Sequence, residues 1–200
     1  LDPLATGVLV CCLGRATKAI PFLMDTVKIY RATIDLASTS NTDDLEGTVT
    51  SVSVAAPPTR ERIEAALTHF QGEILQVPPI YSAIQIDGKR AYKLARQGKT
   101  PELKARPVRI DEVCIESYDW PELVLTITCG KGTYIRSLAR DLGAALGTGG
   151  MLTGLIRTRV GDYSLDLGIA PDALKEPVTP EDLLPIPTTP PAVTVPRSPE

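Results

Sequence analysis

A strand-like run leads straight into the best helical run of the chain, and together they set the fold class. Leu123, Leu125, Ile127 and Cys129 recur with the period of two of a half-buried strand, which ends at Gly130-Lys131-Gly132. Ile135, Leu138, Ala139, Leu142, Ala145 and Leu146 then follow helical spacing, with Gly147 as the stop. A second period-two run, Tyr30, Ala32, Ile34 and Leu36, alternates with Arg31, Thr33 and Asp35. Ile63, Leu67 and Phe70 recur at helical spacing after the cap residue Thr59. Strands are expected near 48–54 and 107–116, and a shorter helix over 91–97, ended by Gly98. Both periods are present, but no regular βαβ unit, glycine-rich phosphate loop or internal repeat. The class is therefore α+β.

A chain of 200 residues, 43% hydrophobic, can bury about 70% of its unfolded surface and needs no covalent staples. The apolar run from Val8 to Leu13 falls short of the roughly 20 residues that span a membrane, and no basic segment precedes it. The chain starts at Leu1 with its apolar pattern already under way, so a fragment is expected. At the other end, 9 of the 18 prolines fall within residues 171–200. That divides the chain into a folded part over 1–170 and a proline-rich extension over 171–200, with a short helix expected over Pro180–Leu184 after Thr179. Cys11, Cys12, Cys114 and Cys129 show no C-x-x-C spacing. Adjacent Cys11 and Cys12, placed in a strand, would point to opposite faces, so reduced, buried thiols are expected. With His69 the one histidine, a His-based metal site is not expected.

The net charge of −3 argues on average against a nucleic-acid binder, but the charge is unevenly spread. Lys89, Arg90, Lys93, Arg96, Lys99, Lys104, Arg106 and Arg109 stand against one acid, Glu102, over 89–109. Residues 32–64 hold six acids against Arg60 and Arg62, and residues 171–200 hold five acids against Lys175 and Arg197. Taken alone, the basic stretch reads as a solvated face or as phosphate contact. A motif has to decide.

The opening Leu1-Asp2-Pro3-Leu4-Ala5-Thr6-Gly7 supplies one. Proline fixes a rigid turn directly after a carboxylate, which is either a turn former or a desolvated group that acts as nucleophile or base. The stretch from Leu1 to Lys18 resembles the catalytic segment of the TruB-type tRNA pseudouridine synthases. Lys28-Ile29-Tyr30-Arg31-Ala32 is similar to that family's K-x-Y strand. Pro78 to Ala83, with Gly88 to Tyr92 and Ala95 to Gly98, matches a third block. Lys131 to Leu138 matches the KGTYIR block, and Gly154 to Thr158 the segment after it. Five blocks in order over 1–160 make the resemblance specific.

The resemblance implies the pseudouridine synthase fold, a largely antiparallel sheet flanked by helices. It also implies isomerisation of a uridine in the T stem-loop of tRNA, without cofactor or metal, by a cytoplasmic monomer acting on a flipped-out base. Asp2 would start glycosidic cleavage, by attack on the nucleoside or by removing a sugar proton. Arg136 would hold Asp2 ionised and oriented, as an adjacent guanidinium does. Tyr30, on the apolar face of its strand, would stack on the base and help move the C5 proton. Tyr134 and Leu155 would complete the pocket wall, Leu155 being equally explained as core. Lys18, Lys28, Lys131, Arg157 and the basic 89–109 stretch would hold phosphates.

The chain also departs from the family pattern. The family continues upstream through a GHxGxLDP-type sequence, of which this sequence holds Leu1-Asp2-Pro3, so a leading segment is expected to be missing. Asn41 replaces a common aspartate and Gln85 a common lysine, neither expected to touch the chemistry. The family often ends in a PUA-type domain, for which 171–200 is too short. Two rival readings stand beside this one. A guide-RNA-dependent synthase of ribosomal RNA usually reads LDPKVTG-like, against LDPLATG here. A tRNA-binding or folding protein without catalysis would not need Asp2, Tyr30 and Arg136 together.

Overall fold

The computed structural model describes residues 2–82, 84–86, 89–91, 97, 103–174 and 176–185. Residues 92–96 of the expected helix over 91–97, residues 92–96 and 98–102 of the basic 89–109 stretch, and the end of the proline-rich extension lie outside the described residues.

One sheet organises the chain. Its strands are β1 (Ala5–Gly7), β2 (Lys28–Asp35), β5 (Gly72–Gln76), β8 (Arg106–Asp119), β9 (Glu122–Cys129), β10 (Met151–Val160) and β11 (Tyr163–Ser164). They lie in the order β1-β10-β2-β9-β8-β5, with β11 also on β10. Only β1 runs parallel to its neighbour; the other pairings are antiparallel, so the class is the expected one. Two ribbons stand apart from it, β3 (Ser38–Ser40) with β4 (Val49–Ser51), and β6 (Gln85–Ile86) with β7 (Lys89–Arg90). The strand expected near 48–54 is thus three residues long and belongs to a ribbon.

Two helices, α2 (Arg60–Leu67) and α3 (Ile135–Leu146), cover one face of the sheet. The Thr59 hydroxyl accepts from the Arg62 N–H and caps α2. α3 stops at Gly147, whose φ of 69° is the left-handed cap a glycine takes freely. Ile63 and Leu67 of α2 and Ile135, Leu138 and Leu142 of α3 bury themselves against Ala32, Ile34, Leu125 and Ile127. The opposite face carries polar groups, Arg31 and Thr126 both binding the Glu116 carboxylate, the first at 2.7 Å, but Val124 and Thr128 of β9 are buried on it too.

β10 was not legible as a strand, and the register explains why. It bulges at Thr153 and again at Thr158, which breaks the period of two. Each bulged threonine donates its hydroxyl to β2, to the carbonyls of Thr33 and Ile29, both at 3.2 Å. The first bulge lets Leu152 and Leu155, three positions apart, both join the core. Glycine sets how closely β1 can approach: Gly7 has φ of 99°, and a β-carbon there would fall 2.2 Å from the Arg157 carbonyl oxygen.

The cysteine expectation needs correction. Residues 8–13 form no strand, and Cys11 and Cys114 are exposed; only Cys129 is buried, and all four thiols are unpaired. Burial pushes the Cys129 thiol up to about 12 from an ordinary 9.0. The unfolded chain gives up that proton near 9 while the folded chain keeps it, so stability falls as pH rises from 9 towards 12. Cys129→Ala should therefore flatten the decline of melting temperature between pH 8.5 and 10, measured by circular dichroism. An unchanged slope would contradict this.

Helix α1 (Ile20–Asp25) follows a 3-10 turn over Gly14–Ala19. Beyond Leu165 the described chain makes only short 3-10 turns, one of them Pro180–Asp182 where a longer helix was expected. Among the described residues, no helix is long and apolar enough to cross a membrane.

Candidate active site

The N-terminal end of α3 carries an arginine where a helix tolerates one badly. Arg136 is the second helical residue, at the positive end of the macrodipole, and its side chain is only 4% exposed. A buried cation in that position needs anions. Two converge on it.

The first is Asp2. Arg136 donates through Nε to Oδ2 at 2.9 Å and through Nη2 to Oδ1 at 2.8 Å, a bidentate fork-to-carboxylate pair. The Asp2 carbonyl accepts from the Ala5 N–H at 2.9 Å, so the rigid turn expected at Asp2-Pro3 is present. β1 then holds that turn in place, through Ala5 opposite Leu155 and through the Val8 N–H donating to the Arg157 carbonyl at 2.8 Å. The Asp2 side chain keeps 27% of its exposure, so it is gripped on one side and open on the other.

The second anion is Asp44, which sequence reasoning missed. Its Oδ2 lies 3.0 Å from Arg136 Nη1 as an ion pair without a directional hydrogen bond, and its side chain is 1% exposed. Oδ1 accepts from the Thr42 hydroxyl at 2.5 Å and the Glu46 N–H at 3.0 Å. Arg136 also donates to the carbonyls of Thr42 and Tyr81, both at 3.1 Å. One guanidinium against two carboxylates leaves this centre with a net charge of −1.

The segment before β6 is tied to the same helix. The Tyr134 N–H donates to Gln76 Oε1 at 2.8 Å, and the Val77 carbonyl accepts from Ser137 Oγ at 2.8 Å and Arg140 at 2.9 Å. The blocks around 76–82 and 131–138 thus form one surface.

Tyr30 packs partly on the core beside Ala32, as its strand face predicts. Burial pushes its phenol above the ordinary range, with Arg157 against it and Asp2 nearby. Burial does the same to Tyr134, whose neighbours are Ser82, Arg106, Asp2 and Arg136. Asp2 is gripped by Arg136 and lies within electrostatic reach of both phenols, so the four residues share one region. Leu155 is 5% exposed, opposite Ala5 and Ala32, and belongs to the core beneath them.

The basic residues divide. Arg157 Nε donates to the Val8 carbonyl at 2.8 Å and borders Tyr30. Lys28 sits beside Arg157 and Lys131, but its ammonium donates to the carbonyls of Met24 at 2.5 Å and Thr26 at 2.6 Å, closing the end of α1. Burial lowers its pKa. Lys131 pairs with Asp25 at 2.5 Å, both well exposed, and Lys18 is exposed on the 3-10 turn. Asn41 Oδ1 accepts from the Thr48 N–H at 2.8 Å and so braces the loop that carries Asp44, closer to the site than expected.

A carboxylate gripped by a buried guanidinium, open on one side and beside two tyrosines, can attack or deprotonate a planar, neutral ligand stacked on an aromatic ring. Known proteins point the same way. A family model for the TruB family pseudouridylate synthase (N terminal domain) matches residues 1–135. The tRNA pseudouridine synthase B of Phocaeicola vulgatus is 50% identical over 166 residues, covering 83% of this chain and 71% of that protein. That of Caulobacter vibrioides is 49% identical over 193 residues, covering 94% and 62%. Among solved structures, a Cbf5-Nop10-Gar1 complex matches with a TM-score of 0.60 at 27% identity over 82% of this chain. An archaeal box H/ACA sRNP Nop10-Cbf5 complex matches with a TM-score of 0.55 at 26% identity. The chain spans 39% and 38% of those two solved chains.

Proposed function

The chain belongs to the TruB family of pseudouridylate synthases, and from that membership we propose that it isomerises a uridine to pseudouridine in the T stem-loop of tRNA, with Asp2 as the group that opens the glycosidic bond. The bidentate grip of Arg136 on Asp2 carries this reading. Residues 1–170 form the catalytic domain, acting as a monomer in the cytoplasm.

The reaction breaks the bond from N1 to C1′, turns the base, joins C5 to C1′ and moves the C5 proton to N1 through solvent. Every atom of the uridine is retained, so no co-substrate is drawn on. Asp2 starts the cleavage by attack on the nucleoside or by removing a sugar proton. Arg136 keeps the carboxylate oxygens aimed, and a fixed geometry of this kind lowers the entropic part of the barrier. Tyr30 stacks on the base, worth about 1–3 kcal/mol for an aromatic platform, and its phenol stands where the C5 proton leaves. A phenol held neutral past physiological pH takes the C5 proton only as it hands its own hydroxyl proton to a base, solvent water here, so Tyr30 relays the proton without carrying charge. Tyr134 forms the opposite wall, and Leu155 supplies apolar support from the core beneath Ala5 and Ala32. Lys18, Lys131 and Arg157 meet phosphates, while Lys28 adds positive field from its place under α1.

The rival guide-RNA-dependent reading rests on relatives at 26–27% identity, against 46–52% for the tRNA enzymes. The stand-alone tRNA reading is favoured.

The test uses a T-arm stem-loop carrying tritium at uridine C5. The full chain should release it, and a stem-loop with the target uridine unlabelled and label elsewhere should not. Tyr30→Phe should slow release by about 10²-fold, the scale of one proton-transfer group, while changing RNA affinity less than threefold. An equal loss in affinity would remove Tyr30 from the proton path.

A further inference from the structure

Asp44 is brought against Arg136 by a loop whose turn at Asp43 is also tied to α3. Asp43, its neighbour between β3 and β4, has φ of 62°, the one positive φ outside glycine among the described residues. A residue with a β-carbon enters this left-handed region only at a cost. The ion pair between Asp43 Oδ2 and Arg140 Nη1, 3.0 Å long, holds it there, and the Asp43 carbonyl accepts from the Leu152 N–H at 3.0 Å.

Arg140 lies one turn beyond Arg136 on α3, so the two guanidinium groups share a face of the helix. Its Nη2 donates to the Val77 carbonyl at 2.9 Å, and its Nε to Asp141 at 2.9 Å. Arg140 thus binds the 40–48 loop and the 76–82 segment to the same helix that carries Arg136. The reversal at Asp43 delivers the Thr42 carbonyl and the Asp44 carboxylate together onto Arg136 Nη1, at 3.1 and 3.0 Å. With Nη1 anchored from that side, the guanidinium plane is fixed for its other edge to grip Asp2.

Resting on the function argued above, we propose that Asp43 and Arg140 are positioning residues for the reaction. Their ion pair sets the left-handed turn that seats Asp44 on Arg136, and so fixes the plane in which Arg136 presents Asp2. Neither residue touches Asp2 or the base; both act through Asp44.

The test is a coupling experiment on single-turnover tritium release by the full chain, with RNA affinity and melting temperature measured alongside. Asparagine tolerates the left-handed region, so Asp43→Asn removes the charge and spares the backbone. The expected result is a rate lower by about tenfold, within the range of coupling between contacting residues, with RNA affinity changed less than twofold. Asp43→Gly, which takes the left-handed turn freely without the ion pair, should lose less than Asp43→Asn. In an Asp44→Asn background, Asp43→Asn should cost nothing further. A wild-type rate for Asp43→Asn overturns the proposal, as does an equal loss with and without Asp44. Tritium release by Asp2→Asn at the wild-type rate would instead overturn the reading of the site as a whole.

Discussion

Arg136→Lys is expected to fold yet to turn over on the order of 10²–10³-fold more slowly, the scale on which one preorganised electrostatic group acts. The lysine keeps the charge that Asp44 and Asp2 need. It cannot keep the fork, because a single ammonium has no two parallel N–H groups to meet Oδ1 and Oδ2 of Asp2 at 2.8 and 2.9 Å. Nor can it reach the Thr42 and Tyr81 carbonyls as well. Arg136→Met goes further and leaves Asp44, 1% exposed, as a buried charge without a partner. Breaking a buried pair from one side costs about 3–5 kcal/mol, enough to threaten folding in a domain of this size. Urea melts and single-turnover rates on the two variants separate the roles. A lysine variant as fast as wild type would show that charge alone suffices at this position.

Asp2→Asn is expected to lower turnover by about 10⁴-fold, since it replaces the reacting oxygen by an amide of the same shape. RNA affinity should change less than twofold. Lys18, Lys131 and Arg157, proposed above as the phosphate contacts, do not depend on the Asp2 charge, and phosphate contacts supply most sequence-independent affinity. The fold should also tolerate the change, because Asp44 remains to neutralise Arg136.

Elements whose burial repeats regularly were readable from the residues alone. β2, β9 and α3 stand where their periods place them, because each has one face on a single continuous core. β10 was not readable, since its two bulges shift apolar residues off any single period. The site divides in the same manner. Asp2, Tyr30 and Arg136 were found through motif blocks that carry sequence-local signatures. Asp44 has none: in Asn41-Thr42-Asp43-Asp44 a carboxylate looks like a turn former, and the acids over 32–64 enter only as a charge imbalance. Both Asp43 and Asp44 are instead counterions of α3. A cation placed in the first turn of an amphipathic helix was the available clue, because it calls for more anion than one partly exposed aspartate supplies. Lys28 was opaque for a different reason. Nothing local to its strand shows that α1 ends over it.

In the proposed reaction a carboxylate at position 2, aimed by Arg136, opens the glycosidic bond of a T-loop uridine. The most direct measurement is tritium release from uridine C5 under single-turnover conditions, at saturating protein, for the wild-type chain and Asp2→Asn side by side. Stoichiometric release by the wild type, with none above background from Asp2→Asn bound equally well, is the predicted result. Equal release from both proteins would contradict it.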